Sequence, residues 1–310
     1  MSLSVGIVGL PNAGKSTLFN ALASKRLSPT AAHPFTTIDP HEAVINVPDD
    51  NLEKLSQLIK PQDTVPATVT FIDIAGLIKG AHKGEGLGNQ FLAKIREVDS
   101  IIHIVRFFKD ENVPHPHKTE LGTVDQVKDD IDIVNLELEL GGITGKKTIY
   151  VLNVAETDLK SAKVSELENE IRDYCKTEVV VLSAALEEQL IDFNPQDKKA
   201  YLNELSVDKT GLESLIEKAY KLLDLISFYT VKGGVECHAW SLKKGLKAID
   251  AAARVHTDFA GKFIKAEVIN VADLLNLGGW RQAKEAGKVR LEGRDYRVQD
   301  KDVIEFKVGK

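Results

Sequence analysis

The stretch GIVGLPNAGKSTLFNAL, residues 6–22, sets a glycine-rich turn between a short apolar run and a helical pattern. Few folds accept that order. Gly9-Leu10-Pro11-Asn12-Ala13-Gly14-Lys15-Ser16 fits GxxxxGK[ST], a turn whose backbone N–H groups cradle phosphates when a strand precedes it and a helix follows. The turn and the first helical residues, Asn12, Ala13, Gly14, Lys15, Ser16 and Thr17, are the expected phosphate-binding groups. In that arrangement Lys15 reaches the β and γ phosphates and the Ser16 hydroxyl ligates Mg²⁺.

The rest of the chain supplies the sheet such a turn needs. SVGIVGL, TVTFIDIAG, SIIHIVRFF, KTIYVLNVAE and EVVVLSAA are continuous Val/Ile-rich runs, the pattern of strands buried on both faces. Helical patterns follow several of them: GKSTLFNALAS, GNQFLAKIREVD, KVSELENEIRDYCK and GLESLIEKAYKLLDLI. Such alternation predicts a mostly parallel α/β sheet with helices on both faces. After residue 230 the pattern changes to short alternating strands with glycine turns around one helix near GLKAIDAAARVHTDF. The expected organisation is a nucleotide-binding domain over 1–232 and a small α+β module over 233–310, divided at Lys232-Gly233-Gly234.

Composition excludes several classes. No apolar run approaches the roughly 20 residues of a membrane span, and the apolar N-terminus lacks the basic flank of a signal peptide. Cys175 and Cys237 lie far apart and outside metal-ligand spacing, so neither a disulfide nor a zinc site is expected. A cytoplasmic monomer is the reading. Net charge is −6, but residues 231–310 hold 16 Lys and Arg against 11 Asp and Glu. A basic module joined to an acidic one suggests that the tail meets a polyanion.

Asp73-Ile74-Ala75-Gly76 fits DxxG, which brings a carboxylate to Mg²⁺ and a glycine amide to a γ-phosphate. Between the two phosphate motifs, Thr36 or Thr37 of HPFTTIDP offers a hydroxyl to the same ion. Five glycines within residues 76–88 suit a segment that a γ-phosphate orders. Where a Ras-like GTPase carries the glutamine that orients the attacking water, this chain has Leu77. Water must then be positioned by backbone, another residue or a partner, and slow intrinsic turnover is expected. A GTPase also carries NKxD to read guanine; here the corresponding residues are Asn153-Val154-Ala155-Glu156. Val154 cannot replace the lysine, and Glu156 is one methylene too long for the bidentate pair on which guanine selectivity rests. Ser183 and Ala184 of LSAA stand where a loop normally lines the base.

Together with HTDFAGKFIKAEV and KEAGKVRLEGRDYRVQDKDVIEF, these motifs resemble the Obg-related YchF group, the Obg-like ATPases, over nearly the whole chain. The resemblance implies a Ras-like P-loop domain followed by a TGS domain with a ubiquitin-like β-grasp fold. It implies Mg²⁺-dependent hydrolysis of ATP, with GTP as the alternative nucleotide, and association with ribosomes or ribosomal RNA. It also implies a hydrolytic histidine in the loop after VRFF, which alignment through FKDENVPH places at His115, with His117 close by. The family inserts a long helical hairpin after the helix ending near Leu140; here only GGITGK leads to KTIYVL.

In the C-terminal module Lys243, Lys244, Lys247, Arg254, Lys262, Lys265, Lys284, Lys288, Arg290, Arg294 and Arg297 offer cations to phosphates. Trp240 reads as core. Trp280 and His256 are open between core and contact roles.

Overall fold

The computed structural model describes residues 3–24, 41–74, 87–116, 120–204 and 209–309, which divide into two units. The first holds residues up to Ile45 and from Val69 to Leu222. Its elements are β1 (Ser4–Val8), α1 (Lys15–Ser24) and β2 (Glu42–Asn46), after which the chain passes through the second unit as α2 (Asp50–Ile59) and β3 (Asp63–Val65). It returns as β4 (Thr68–Asp73), α3 (Leu87–Glu97), β5 (Ser100–Arg106), α4 (Val124–Leu140), β6 (Thr148–Asn153), α5 (Ala162–Cys175), β7 (Val179–Leu182), α6 (Ala184–Gln189), α7 (Pro195–Glu204) and α8 (Gly211–Leu222). The strand order is β2-β4-β1-β5-β6-β7, and β4, β1, β5, β6 and β7 pair in parallel. Each apolar run of the sequence forms one of these parallel strands. Parallel pairing explains why the runs are continuous, since helices cover both faces.

β5 lies at the centre, and every residue from Ser100 to Arg106 is buried. His103 therefore sits in an apolar layer, its ring 5.2 Å from that of Tyr150, and neither ring nitrogen has a hydrogen-bond partner among the described residues. Burial, reinforced by the Lys15 cation, lowers its pKa from 6.5 to about 3.

The turn from α4 to β6 is closed by its own contacts. Ile143 is buried with Leu92, Ile95 and Leu138; Arg96 donates to Gly141 O at 2.7 Å, and Lys146 donates to Arg96 O at 3.1 Å. A Cβ on Gly141 would lie 2.5 Å from Leu92 Cδ2, so this glycine is required by packing. No hairpin intervenes between Leu140 and Thr148.

The second unit comprises Asn46–Thr68 and Leu223–Lys310. Beyond α2 and β3 its elements are β8 (Leu225–Lys232), β9 (Glu236–Lys243), α9 (Ala248–Val255), α10 (Thr257–Gly261), β10 (Phe263–Asn270), α11 (Val271–Leu277), α12 (Trp280–Glu285), β11 (Arg290–Glu292) and β12 (Asp302–Val308). They form a mixed sheet in the order β11-β10-β12-β8-β9-β3. Ala248, Ala251 and Ala252 of α9 pack onto Phe228, Leu242, Ala266 and Ile304, the β-grasp arrangement.

Two sequence expectations change here. The Gly233-Gly234 pair is the turn of the β8–β9 hairpin, both residues at positive φ and Val235 N–H donating to Lys232 O at 2.7 Å, so it lies inside the second unit, whose C-terminal stretch starts at Leu223 and which also takes in Asn46–Thr68. Glycines suited to a boundary suit a hairpin equally. The single helix expected in this module is four, α9 to α12, because VADLLNLGGWRQAKEA folds as α11 and α12, with Asn270 capping α11 through Ala272 N–H at 3.0 Å.

His103 gives the first prediction. Below pH 6.5 the unfolded chain takes up a proton that the folded chain refuses until about pH 3, so stability falls as pH falls through that window. Between pH 7 and 5 the expected loss from this residue is about 2 kcal/mol. Urea denaturation of the wild type and of His103→Phe at the two pH values checks it; the variant should have the flatter dependence.

Candidate nucleotide site

The site is assembled at the carboxyl ends of the parallel strands, where β1 runs into the glycine turn. Asn12 has a φ of 64°, a left-handed conformation costly for a side-chain-bearing residue. Its Nδ2 donates to Pro114 O at 2.9 Å, tying the turn to the loop after β5. Gly14 has a φ of 99°, and a Cβ there would lie 2.2 Å from Asn153 Nδ2. Glycine is needed on both counts. Ala13 N–H donates to Leu10 O at 3.3 Å.

Lys15 opens α1 and is buried, its Nζ donating to Leu10 O at 2.8 Å. Burial lowers its pKa to about 8, and the Asp73 carboxylate opposes the shift. Asp73 closes β4 beside Ile7 of β1. The hydroxyl of Ser16 is on an exposed residue and that of Thr17 on a half-buried one, both in the first turn of α1.

Asn153, at the end of β6, joins three motifs through one amide. Its Nδ2 donates to Ala13 O and its Oδ1 accepts from Ala184 N–H, both at 2.9 Å. Ser183 and Ala184 are themselves buried, and the Ser183 hydroxyl accepts from Leu186 N–H at 3.4 Å to cap α6. The two residues shape the turn with backbone and cap rather than through exposed side chains.

Val154 departs from its expected role. It is 1% exposed and packs with Val105, Phe107, Leu152, Val164 and Leu167. Its side chain points into the core beneath the site and offers no surface to a base. Glu156 is exposed, and its Oε1 accepts a hydrogen bond from the Tyr201 hydroxyl of α7.

His115 follows the Pro114 carbonyl that Asn12 holds. Its Nε2 lies 3.0 Å from Asp130 Oδ2 on α4, and the two side chains are 6% and 5% exposed. The same carboxylate oxygen accepts from Gln126 Nε2 at 2.7 Å, and that nitrogen also donates to Arg106 O at 2.8 Å. The buried Arg106 guanidinium donates to Phe108 O, Val113 O and Asp110 O at 2.8–3.1 Å and lies 4.4 Å from the Phe108 ring centroid. Thus β5 ends in a cation that folds the following loop around itself and sets His115 against α4. Thr36, Thr37, Gly76, Leu77 and His117 lie outside the described residues.

Sequence reading overlooked Arg106, Gln126, Asp130 and Tyr201. Arg106 carried a signal, a cation ending an otherwise apolar run, and Gln126 and Asp130 share a helix face at four-residue spacing. Tyr201 carried none.

Comparison with known proteins now separates a generic phosphate cradle from a particular family. Residues 4–154 match the model of a 50S ribosome-binding GTPase, and residues 225–309 match the C-terminal model of YchF GTPases, described as a protein of unknown function. The ribosome-binding ATPase YchF of Bacillus subtilis is 40% identical over an alignment covering 99% of each chain. That of Haemophilus influenzae is 37% identical at the same coverage. The chain belongs to the YchF family. The solved Schizosaccharomyces pombe YchF GTPase matches 99% of this chain and 98% of its own, with a TM-score of 0.80 and 28% identity. A GTP-binding protein of Pyrococcus horikoshii shares the fold, with a TM-score of 0.65 and 20% identity. The chain is accordingly a nucleotide-hydrolysing enzyme of the P-loop class with the YchF C-terminal domain.

Asn153 and Val154 give opposite predictions. Asn153→Ala leaves Ala13 O and Ala184 N–H without their partner, with an expected cost of about 1–3 kcal/mol. Nucleotide affinity should fall at the same time. Val154→Ala should lower stability by about 1–2 kcal/mol through a core cavity while leaving the ATP-to-GTP affinity ratio unchanged. Chemical denaturation and paired nucleotide titrations read both; a changed ratio in Val154→Ala would place that side chain against the base.

Proposed function

We propose that this YchF chain is an Mg²⁺-dependent ATPase, a cytoplasmic monomer whose nucleotide state governs its association with ribosomes. The observation that carries the reading is the base end of the site. Asn153 is committed to the P-loop and the Ala184 turn, Val154 is withdrawn into the core, and Glu156 already accepts from Tyr201. Without a lysine cover or a free bidentate acceptor, guanine loses the contacts that would favour it. The curated relatives are named ribosome-binding ATPases, which supports both nucleotide and partner.

In this mechanism the backbone N–H groups of residues 12–17 bind the phosphates, and Lys15 turns from Leu10 O to their charge. Ser16 and Asp73 supply a hydroxyl and a carboxylate, hard oxygen donors of the kind Mg²⁺ takes once phosphates complete its shell. They would hold the ion with a threonine of the 36–37 pair, and the ion would neutralise charge that develops on the phosphates. His115 acts on the attacking water in place of the side-chain amide that Leu77 lacks. Asp130 holds the histidine Nε2 and orients the ring, and without a glutamine at position 77 intrinsic turnover is slow.

His115→Ala should lower the single-turnover rate of ATP hydrolysis by about 10²-fold or more, with nucleotide affinity held within twofold. That split marks a contribution made only in the transition state. An unchanged rate removes His115 from the chemistry.

The basic module generates a second test. Lys247 pairs with Asp295 at 2.6 Å, Lys284 with Glu267 at 2.7 Å, and Arg290 bonds Tyr296 at 2.8 Å, so part of its charge is spent internally. Lys243 and Lys244 are exposed. Reversing both to glutamate should weaken ribosome association and reduce its dependence on salt by about two counterions, with ATP hydrolysis unchanged. Sedimentation with ribosomes across a salt series measures both quantities.

A further inference from the structure

The base end of the site contains a residue that no motif announces. We propose that Tyr201 is a specificity-determining residue, which holds Glu156 in a form that disfavours guanine and leaves the site open to adenine. The inference rests on reading Asn153–Glu156 as the base end of a nucleotide site.

A guanine Watson–Crick edge presents two adjacent donors, N1–H and the N2 amino group, and a carboxylate reads them with both oxygens. Adenine presents one amino donor beside an acceptor nitrogen, so a two-oxygen carboxylate gains no second bond and faces a repulsive lone pair. Glu156 is the carboxylate at this position, and one of its oxygens accepts the Tyr201 hydroxyl. The phenol takes a lone pair of Oε1 and fixes the plane of the carboxylate, so the bidentate pair that guanine requires can form only in the orientation the phenol leaves. Oε2 and the phenol oxygen remain as single acceptors, which suits one amino group.

The seat of Tyr201 is built rather than incidental. Asn194 caps α7 by accepting from Gln196 N–H at 3.0 Å and Asp197 N–H at 2.8 Å. The Phe193 ring meets the Tyr201 ring edge-on at 5.8 Å, and Lys198 of α7 pairs with Glu213 of α8 at 2.8 Å. At the far end Lys160, four residues beyond Glu156, donates to Glu204 O at 2.9 Å. The segment that carries the base motif is therefore fastened to the end of the helix that carries the phenol, and that helix is itself held by its cap and by α8. The Glu156 carboxylate also pushes the phenol pKa up to about 12, so the hydroxyl stays a donor at neutral pH.

The test is calorimetric titration of the full chain with the non-hydrolysable imidotriphosphates of adenosine and guanosine in the presence of Mg²⁺. The variants are Tyr201→Phe, Glu156→Gln and the double variant, each checked for an unchanged thermal melt. Freeing the carboxylate in Tyr201→Phe should shift the affinity ratio toward guanosine by about tenfold, equivalent to 1.4 kcal/mol. In the Glu156→Gln background the same change should leave the ratio unmoved, because the phenol acts through that carboxylate. An unchanged ratio in Tyr201→Phe overturns the proposal, and so does a shift that persists with Glu156→Gln. A wild type that binds the guanosine analogue a hundredfold more tightly overturns the ATPase reading, whereas the Tyr201 role is judged on the change of ratio alone. Failure of both analogues to bind removes the nucleotide site and the proposal with it.

Discussion

The amide of Asn153 is the interaction on which the rest of the site depends. It ends a strand, fills the space that Gly14 leaves by having no Cβ, and satisfies a backbone acceptor of the glycine turn and a backbone donor of the Ser183–Ala184 turn. Both turns are loops at strand ends, with polar backbone groups that secondary structure does not satisfy. A buried carbonyl or N–H without a partner costs about 1–3 kcal/mol, so one correctly placed side chain stabilises two loops and fixes their separation. The position of the phosphate cradle relative to the base end then follows from the spacing of β1, β6 and β7 in the sheet.

A second polar cluster does the corresponding work for the loop after β5. Arg106 is among the largest fully buried side chains, and its charge is answered by carbonyls of the loop it holds, with no carboxylate in contact among the described residues. Burial lowers its pKa, and Asp110 and Asp130 oppose the shift. With Gln126 bridging Arg106 O and Asp130, and Asp130 meeting His115, the end of β5 is connected by hydrogen bonds to the histidine. The Asn12–Pro114 bond completes a circuit back to the glycine turn. A change at the phosphate turn therefore has a physical route to His115 that passes through the backbone between Pro114 and His115.

Much of this was legible in the sequence, and the parts that were not share a cause. The five parallel strands could be read because burial on two faces leaves a run of Val and Ile that no helix of that length would show. The glycine turn between β1 and α1 could be read because phosphate chemistry fixes residue types at fixed spacing. The unit boundary could not, because a Gly-Gly pair has the same appearance in a linker and in a hairpin turn. The excursion of residues 46–68 into the second sheet leaves no local trace either, since β3 pairs with β9 over more than 170 residues of sequence. Val154 and Glu156 show the same limit within four residues. Spacing aligned them with a base-reading motif, but only the packing under α4 and α5 puts one in the core and the other beside α7.

The short connection from α4 to β6 decides how the end of α3 is held. In this chain the α4–β6 turn is not a stump. Ile143 enters the core, Gly141 touches Leu92, and Arg96 and Lys146 satisfy carbonyls across the turn, so the connection is a finished element of the first unit. The contacts made with it belong to α3, the helix that follows the DxxG segment, and Lys146 also reaches Val98 O just beyond that helix. The connection therefore ties the end of α3 to the turn that leads into β6.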